Sequence, residues 1–316
     1  MIKKCYLLCA ALLLLAGPRA WSQKLEPFVF MPQWTAQAQF AGYYVALEKG
    51  FYADEGLDVR IEHPTATLPV LDRIRKGLCD ATTLQLIQAM EFVETGFPLV
   101  NILQTSMSNA LVLVSRSGKD PMTLHGARVS TWRIGFGQIA ECMSVERQLD
   151  YEWIQAADFL NLFIAGAVDA SLAMSYNEYY QILQTGLLEP GQGLYRFSEH
   201  GYDIQEDGIY MTRKKYAENP GRAQRFAKAS RRGWEWAAEH PEETLDIVMD
   251  YMNREYMATN RVLQKLMLDE VLRLQLARDS GEREFRLRPD MVEAASELMY
   301  KNGMLRRKVT MEELLP

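Results

Sequence analysis

The sequence predicts an α/β protein built from two similar units. Short apolar runs of strand type alternate with helical segments from Phe28 to about Met211, the pattern of a parallel or mixed sheet covered by helices on both sides. A polar linker, Ser115-Arg-Ser-Gly-Lys-Asp-Pro121, interrupts the alternation, which then begins again. Two turns of the same make each end a helix before an Asp and a strand: Gly77-Leu-Cys-Asp80 in the first unit and Gly166-Ala-Val-Asp169 in the second. The 316 residues suit one large or two medium domains.

Phe28-Val-Phe-Met31 is an apolar strand run. Phe40 to Phe51 is expected as helix, with Phe40, Tyr43, Tyr44 and Leu47 on one stripe. Gly50 and Gly56 bracket a turn, and Leu57 to Ile61 alternates as a strand. Leu68 to Lys76 is expected as helix, Ala81 to Thr83 as strand, and Gln85 to Thr95 as a helix closed by Gly96. Leu99 to Leu103 and Ala110 to Val114 are short strands. Past the linker, Ala127 to Trp132 is a strand and Ile134 to Gly137 opens a helix reaching about Leu149. Tyr151 to Ile154 and Ala170 to Met174 are strands, and Asp158 to Ile164 and Glu178 to Leu183 are helices. Gly208 to Met211 is a return strand. From Asn219 onward the pattern is helical, with Asn219-Pro220 and His240-Pro241 as starts, because proline suits a first turn.

Met1 to Ser22 has the organisation of a targeting segment: Lys3 and Lys4, an apolar core from Leu7 to Ala16, and a small-x-small site at Ala20-Trp-Ser22. Cleavage near Ser22 is expected, with a retained anchor as the alternative. The segment holds Lys3, Lys4 and Arg19, so the remainder has a net charge of −9 against −6 for the full chain. A mildly acidic chain without a basic stripe argues against nucleic-acid binding. Cys5 and Cys9 fall in the segment, which leaves Cys79 and Cys142, expected as two buried thiols in different lobes. His63, His125, His200 and His240 are scattered without metal-ligand spacing and read as single satisfied surface residues. No metal is expected, and no nucleophile stands beside a base.

The most specific stretch follows the first strand: Trp34-Thr-Ala-Gln-Ala-Gln-Phe-Ala-Gly-Tyr-Tyr, then Glu48-Lys-Gly-Phe-Tyr and Glu55-Gly-Leu-Asp-Val59. It closely resembles periplasmic solute-binding proteins of the thiamine-pyrimidine-precursor type, which share a two-lobed type II periplasmic binding fold with a ligand cleft between the lobes. The resemblance spans most of the chain and weakens after about residue 245. It implies lobe one from residues 23–114 and 207–316, with the C-terminal helices packed on it, and lobe two from 115–206. It also implies a periplasmic monomer, without a cofactor, that carries a small-molecule ligand to an ABC permease in the inner membrane.

Trp34 is expected to stack on a planar ring, with Trp132 opposite it. Gln37, Gln39, Asn177 and Glu178 are expected to read the polar edge, and Tyr43, Gln88 and Tyr176 to belong to the same site. A Glu accepts well from the amidine-like edge of an aminopyrimidine. In Tyr176-Asn-Glu178 the open alternative is a helix cap, with Asn177 capping and Glu178 favoured by the dipole. Gly135-Phe-Gly137 forms a glycine loop before a helix, either a plain helix start or an anion-binding turn of backbone N–H groups.

The same family includes a eukaryotic pyrimidine-precursor synthase with a Lys-x-x-x-His run. Aligned from Asp80, its positions fall on Leu84 and Gln88, so neither the Schiff-base amine nor the donated ring is present there. Its cysteine-rich run is replaced by Tyr202-Asp-Ile-Gln-Glu-Asp-Gly208. A binding protein rather than an enzyme is therefore expected. Riboflavin-like or sulfonate solutes, and a sensor role toward a membrane receptor, are the alternatives.

Overall fold

The computed structural model describes residues 24–64, 70–133 and 135–316. The targeting segment and Leu68 lie outside the described residues. One five-stranded sheet is built from β1 (Glu26–Met31), β2 (Leu57–Ile61), β3 (Ala81–Gln85), β4 (Leu99–Gln104) and the late strand β10 (Asp207–Thr212), in the order β2-β1-β3-β10-β4. The other holds β5 (Leu111–Ser115), β6 (Arg128–Trp132), β7 (Glu152–Ala156), β8 (Ala170–Met174) and β9 (Leu194–Arg196), in the order β7-β6-β8-β5-β9. The two orders correspond strand for strand. β1 lies parallel to β2 and β3, as β6 does to β7 and β8. Each sheet has one antiparallel member, β10 against β3 and β4, and β5 against β8 and β9.

Those antiparallel strands are the ones delivered from the other lobe, through residues 105–110 and 197–206. This corrects the first lobe boundary expected from sequence. Leu111 to Ser115 pairs with β8, Leu111 opposite Met174, so it belongs to lobe two. An apolar run announces a strand but not its sheet, and the polar run after it is a turn inside lobe two, where Gly118 takes a positive φ of 73°.

Helices cover both sheets. Lobe one carries α1 (Ala41–Glu48), α2 (Phe51–Asp54), α3 (Val70–Arg75) and α4 (Leu86–Glu94). Lobe two carries α5 (Gln138–Glu146), α6 (Phe159–Ile164) and α7 (Glu178–Gln184). After β10 come α8 (Arg213–Glu218), α9 (Pro220–Glu239), α10 (Pro241–Arg254), α11 (Arg261–Leu274), α12 (Pro289–Lys301) and α13 (Met311–Leu314). Asn219 caps α9 by accepting from the Arg222 N–H at 3.0 Å, with Pro220 in the first turn. β9 and α8 are too short to leave a clear sequence period.

The Ala41-Gly-Tyr-Tyr44 motif has a packing role. A Cβ on Gly42 would lie 2.2 Å from the Trp234 ring, and one on Gly233 would lie 2.1 Å from the Gly42 carbonyl. α1 and α9 therefore cross backbone to backbone. Phe28 stacks on Phe226 behind them, with centroids 4.2 Å apart. The C-terminal helices do not keep to lobe one. Ser175 in lobe two donates to Glu270 of α11 at 2.6 Å, and Lys301 of α12 bonds Glu146 of α5 at 3.2 Å. Cys79 and Cys142 are free and buried, and burial pushes their thiols up to about 11 and about 12.

The glycine turns do the same work in both lobes. Asp80 exchanges backbone and side-chain bonds with Val29 of β1, and Asp169 does so with Arg128 of β6, all at 2.8–2.9 Å. Each carboxylate thus ties one parallel strand to its neighbour, β3 to β1 and β8 to β6. Gly77 and Gly166 supply the left-handed backbone, at φ 69° and 74°.

Candidate functional site

The strand ends of the two sheets face each other across a small pocket. This is where open α/β sheets bind ligands. Of the residues singled out in the sequence, Trp34, Gln37, Gln39, Trp132, Phe136, Tyr176, Asn177 and Glu178 line it, joined by Gln33 and Met174. Tyr43 does not. Its ring is buried in the core against Phe30 and Trp234, because it lies on the stripe that α1 turns toward β1 and α9. Gln88 accepts from the Gln85 N–H and donates to the Gly135 carbonyl at 2.8 Å, bridging the lobes beside the pocket. Gly135 has φ 78° and spends its carbonyl on that bridge, and Gly137 sits at the N-cap of α5. Of that loop's described residues only Phe136 reaches the pocket.

The aromatic wall also differs from the expected pair of facing indoles. Phe136 stands between them, edge-on to Trp34 at 5.8 Å and to Trp132 at 5.7 Å. Trp132 is buried against Phe159, whereas Trp34 remains 38% exposed at the rim. The Trp34 loop is propped by His63, which sits between the Trp34 carbonyl (2.6 Å) and the Tyr44 hydroxyl (2.9 Å). Desolvation lowers its pKa to about 4 and favours the neutral ring, so His63 is a half-buried support for the loop.

On the lobe-two side, Glu178 opens α7 directly after β8. Its carboxylate accepts from the Met174 N–H at 3.0 Å and from the Asn177 amide at 3.3 Å. Asn177 makes no side-chain cap, and its amide oxygen accepts from Gln181 instead. Burial raises the Glu178 pKa, and hydrogen bonds from Met174, its own backbone, Trp132 and Asn177 hold the rise back.

On the lobe-one side the charge lies one layer deeper. Asp207, at the start of β10, is buried and accepts from Gln33 at 2.8 Å and from Gln39 at 2.7 Å. Gln39 accepts in turn from Gln37 at 2.7 Å. Burial raises the Asp207 pKa, opposed by these two amides. Glu206 beside it is pushed up by burial and by the Asp207 charge. The phenol of Tyr176 is held protonated by burial and by Asp207, Glu206 and Glu178. No basic residue is among the described lining residues.

The sequence reading passed over Gln33, Met174, Glu206 and Asp207. Glu206 and Asp207 lie in Tyr202 to Gly208, noticed only as a replacement for a cysteine run. The available signal was an acidic pair set immediately before the apolar return strand. The segment is locked to the other crossover: the Asp207 carbonyl accepts from the Thr105 and Ser106 N–H groups, both at 2.9 Å.

The fold and cleft are those of a type II periplasmic binding protein. A family model described as NMT1/THI5 like matches residues 37–244, and the chain belongs to that family. The formylaminopyrimidine-binding protein of Halalkalibacterium halodurans is 25% identical over 241 residues, covering 72% of this chain and 71% of its own. The 4-amino-5-hydroxymethyl-2-methylpyrimidine phosphate synthase of Candida albicans is 22% identical over 231 residues, covering 68% of each. Among solved structures, the periplasmic aliphatic sulphonate binding protein SsuA of Escherichia coli superposes with a TM-score of 0.65 at 15% identity, covering 92% of each chain.

Proposed function

We propose that this is an exported, monomeric solute-binding protein that delivers an aminopyrimidine thiamine precursor to an ABC permease, its targeting segment cleaved near Ser22. The carrying observation is the pocket itself. Aromatic rings from both lobes bound a narrow slot, and buried acidic groups stand on two sides with no basic residue among the described lining residues. A flat, donor-bearing ring suits that chemistry. The name of the H. halodurans relative points the same way. The synthase reading is disfavoured because Leu84 is buried in β3 and Gln88 is spent on its own helix and on Gly135, which leaves no amine at that place.

A thermal-shift screen tests the proposal with hydroxymethyl- and formylaminopyrimidines, thiamine, riboflavin and alkanesulfonates. A ligand at a hundred times its dissociation constant adds about 2.7 kcal/mol. A selective shift with an aminopyrimidine supports the reading. A shift from a sulfonate or flavin alone removes the pyrimidine assignment.

A further inference from the structure

We infer that Gln33 is a specificity-determining residue, its side-chain carbonyl accepting a hydrogen bond from an N–H of the solute, and that Asp207 fixes that orientation. The inference rests on reading this cleft as the solute site.

Gln33 lines the pocket and is 6% exposed. Its backbone N–H is tied to the Thr83 hydroxyl at 2.8 Å and its amide nitrogen to Asp207 Oδ1 at 2.8 Å. Its Oε1 is buried and has no hydrogen-bond partner among the described residues. A buried acceptor without a donor is costly, and a solute donor would relieve it.

The polarity of the whole wall follows from Asp207. An ionised carboxylate only accepts. Both amides bonded to it, those of Gln33 and Gln39, turn their NH₂ groups toward Asp207 and their carbonyls away. Gln39 spends its carbonyl on Gln37, whereas the carbonyl of Gln33, a lining residue, has no partner among the described residues. Across the slot Glu178 is also an acceptor, and the nearby Asn177 amide is already given to it. A solute held between these walls presents N–H donors on both edges. An amino-substituted or amidinium ring meets that demand. An oxo-substituted ring of the same shape places acceptor against acceptor.

The test is calorimetric titration of the full chain with matched probes. One pair is 4-amino-5-hydroxymethyl-2-methylpyrimidine and its 4-oxo counterpart. The other is benzamidine and benzoate, with ethanesulfonate as a further anion. The donor-bearing member is expected to bind about 100-fold more tightly, since a site built around a hydrogen bond rejects the mismatched analogue strongly. Gln33→Met is expected to cut that ratio about 10-fold by weakening the amino member alone. Asp207→Asn, whose amide can face a turned Gln33, is expected to admit the oxo member, and it serves if Gln33→Met does not fold.

Aminopyrimidine binding with a ratio near one, or a ratio unmoved by both variants, overturns the inference and leaves the solute class standing. Binding of benzamidine alone overturns the pyrimidine reading and keeps the inference. Binding of benzoate or ethanesulfonate overturns both. Should no probe bind, the Gln33 side-chain amide is followed by NMR. Its protons are expected to be hydrogen-bonded in the ligand-free chain and released by Asp207→Ala, and unchanged resonances overturn the inference.

Discussion

Asp80 in lobe one and Asp169 in lobe two hold equivalent places, bonded to the backbone of the neighbouring parallel strand, Val29 of β1 and Arg128 of β6. The strands around them follow the same order. At the pocket the lobes part company. Lobe two sets its carboxylate, Glu178, in the lining at the start of α7, beside Trp132. Lobe one keeps its carboxylate, Asp207, behind a layer of glutamines that carry its polarity forward. One scaffold thus offers an acidic edge in lobe two and an amide edge in lobe one. Chemistry is set by a few side chains at strand ends, while the repeated architecture only positions them.

The strongest test of the lobe-one framework is Gly233→Val. The new side chain must displace the Gly42 backbone rather than a flexible tip. A loss of about 4 kcal/mol or more in a denaturant titration is expected. A near-neutral result would mean that α1 and α9 do not cross as described. At the charged edge, Glu178→Gln is expected to weaken an aminopyrimidine by about 1.5–3 kcal/mol in calorimetry, the scale of a hydrogen bond to a charged group. Unchanged affinity would take Glu178 out of the site.

The shared Asp device makes a paired prediction. Asp80 also holds Lys215 at 3.0 Å and Arg222 at 2.9 Å in a half-buried setting, whereas Asp169 is exposed. Asp80→Ala is expected to cost about 2–3 kcal/mol and Asp169→Ala about 1 kcal/mol in chemical denaturation. Equal losses would show that the extra ion pairs add nothing.

The pH dependence separates the walls more gently. Burial raises the folded-state pKa of Glu178, Glu206 and Asp207. The folded chain then keeps protons that the unfolded chain has released, so these groups make stability fall as pH rises from the ordinary carboxylate range through the raised values. His63 has the opposite sign. Lowered from 6.5 to about 4, it makes stability fall as pH drops between those values. Melting curves of ligand-free Asp207→Asn are expected to decline less toward neutral pH than those of the parent chain. Those of His63→Gln are expected to decline less toward acid pH. Parallel curves would place these groups in water.

Much of this was legible in the sequence. Leu57 to Ile61 and Ala170 to Met174 are strands to the residue, because alternation or a continuous apolar run fixes them locally. The glycine turns, Trp34, Gln39 and Glu178 stood out because they lie beside those strands. What escaped depends on the crossovers. Leu111 to Ser115 gives no local sign of which sheet receives it. Asp207 is distant in sequence from Gln33 and Gln39 and meets them only because β10 inserts beside β3. Tyr43 misled for the reverse reason, since its place near the motif hid that α1 turns it toward Trp234.

The deciding measurement is calorimetric titration of the full chain with 4-amino-5-hydroxymethyl-2-methylpyrimidine, run beside ethanesulfonate. Saturable one-to-one binding of the pyrimidine, reduced by Glu178→Gln, with no heat from the sulfonate, is the predicted result. Binding of ethanesulfonate without the pyrimidine would contradict the assignment of this cleft to an aminopyrimidine.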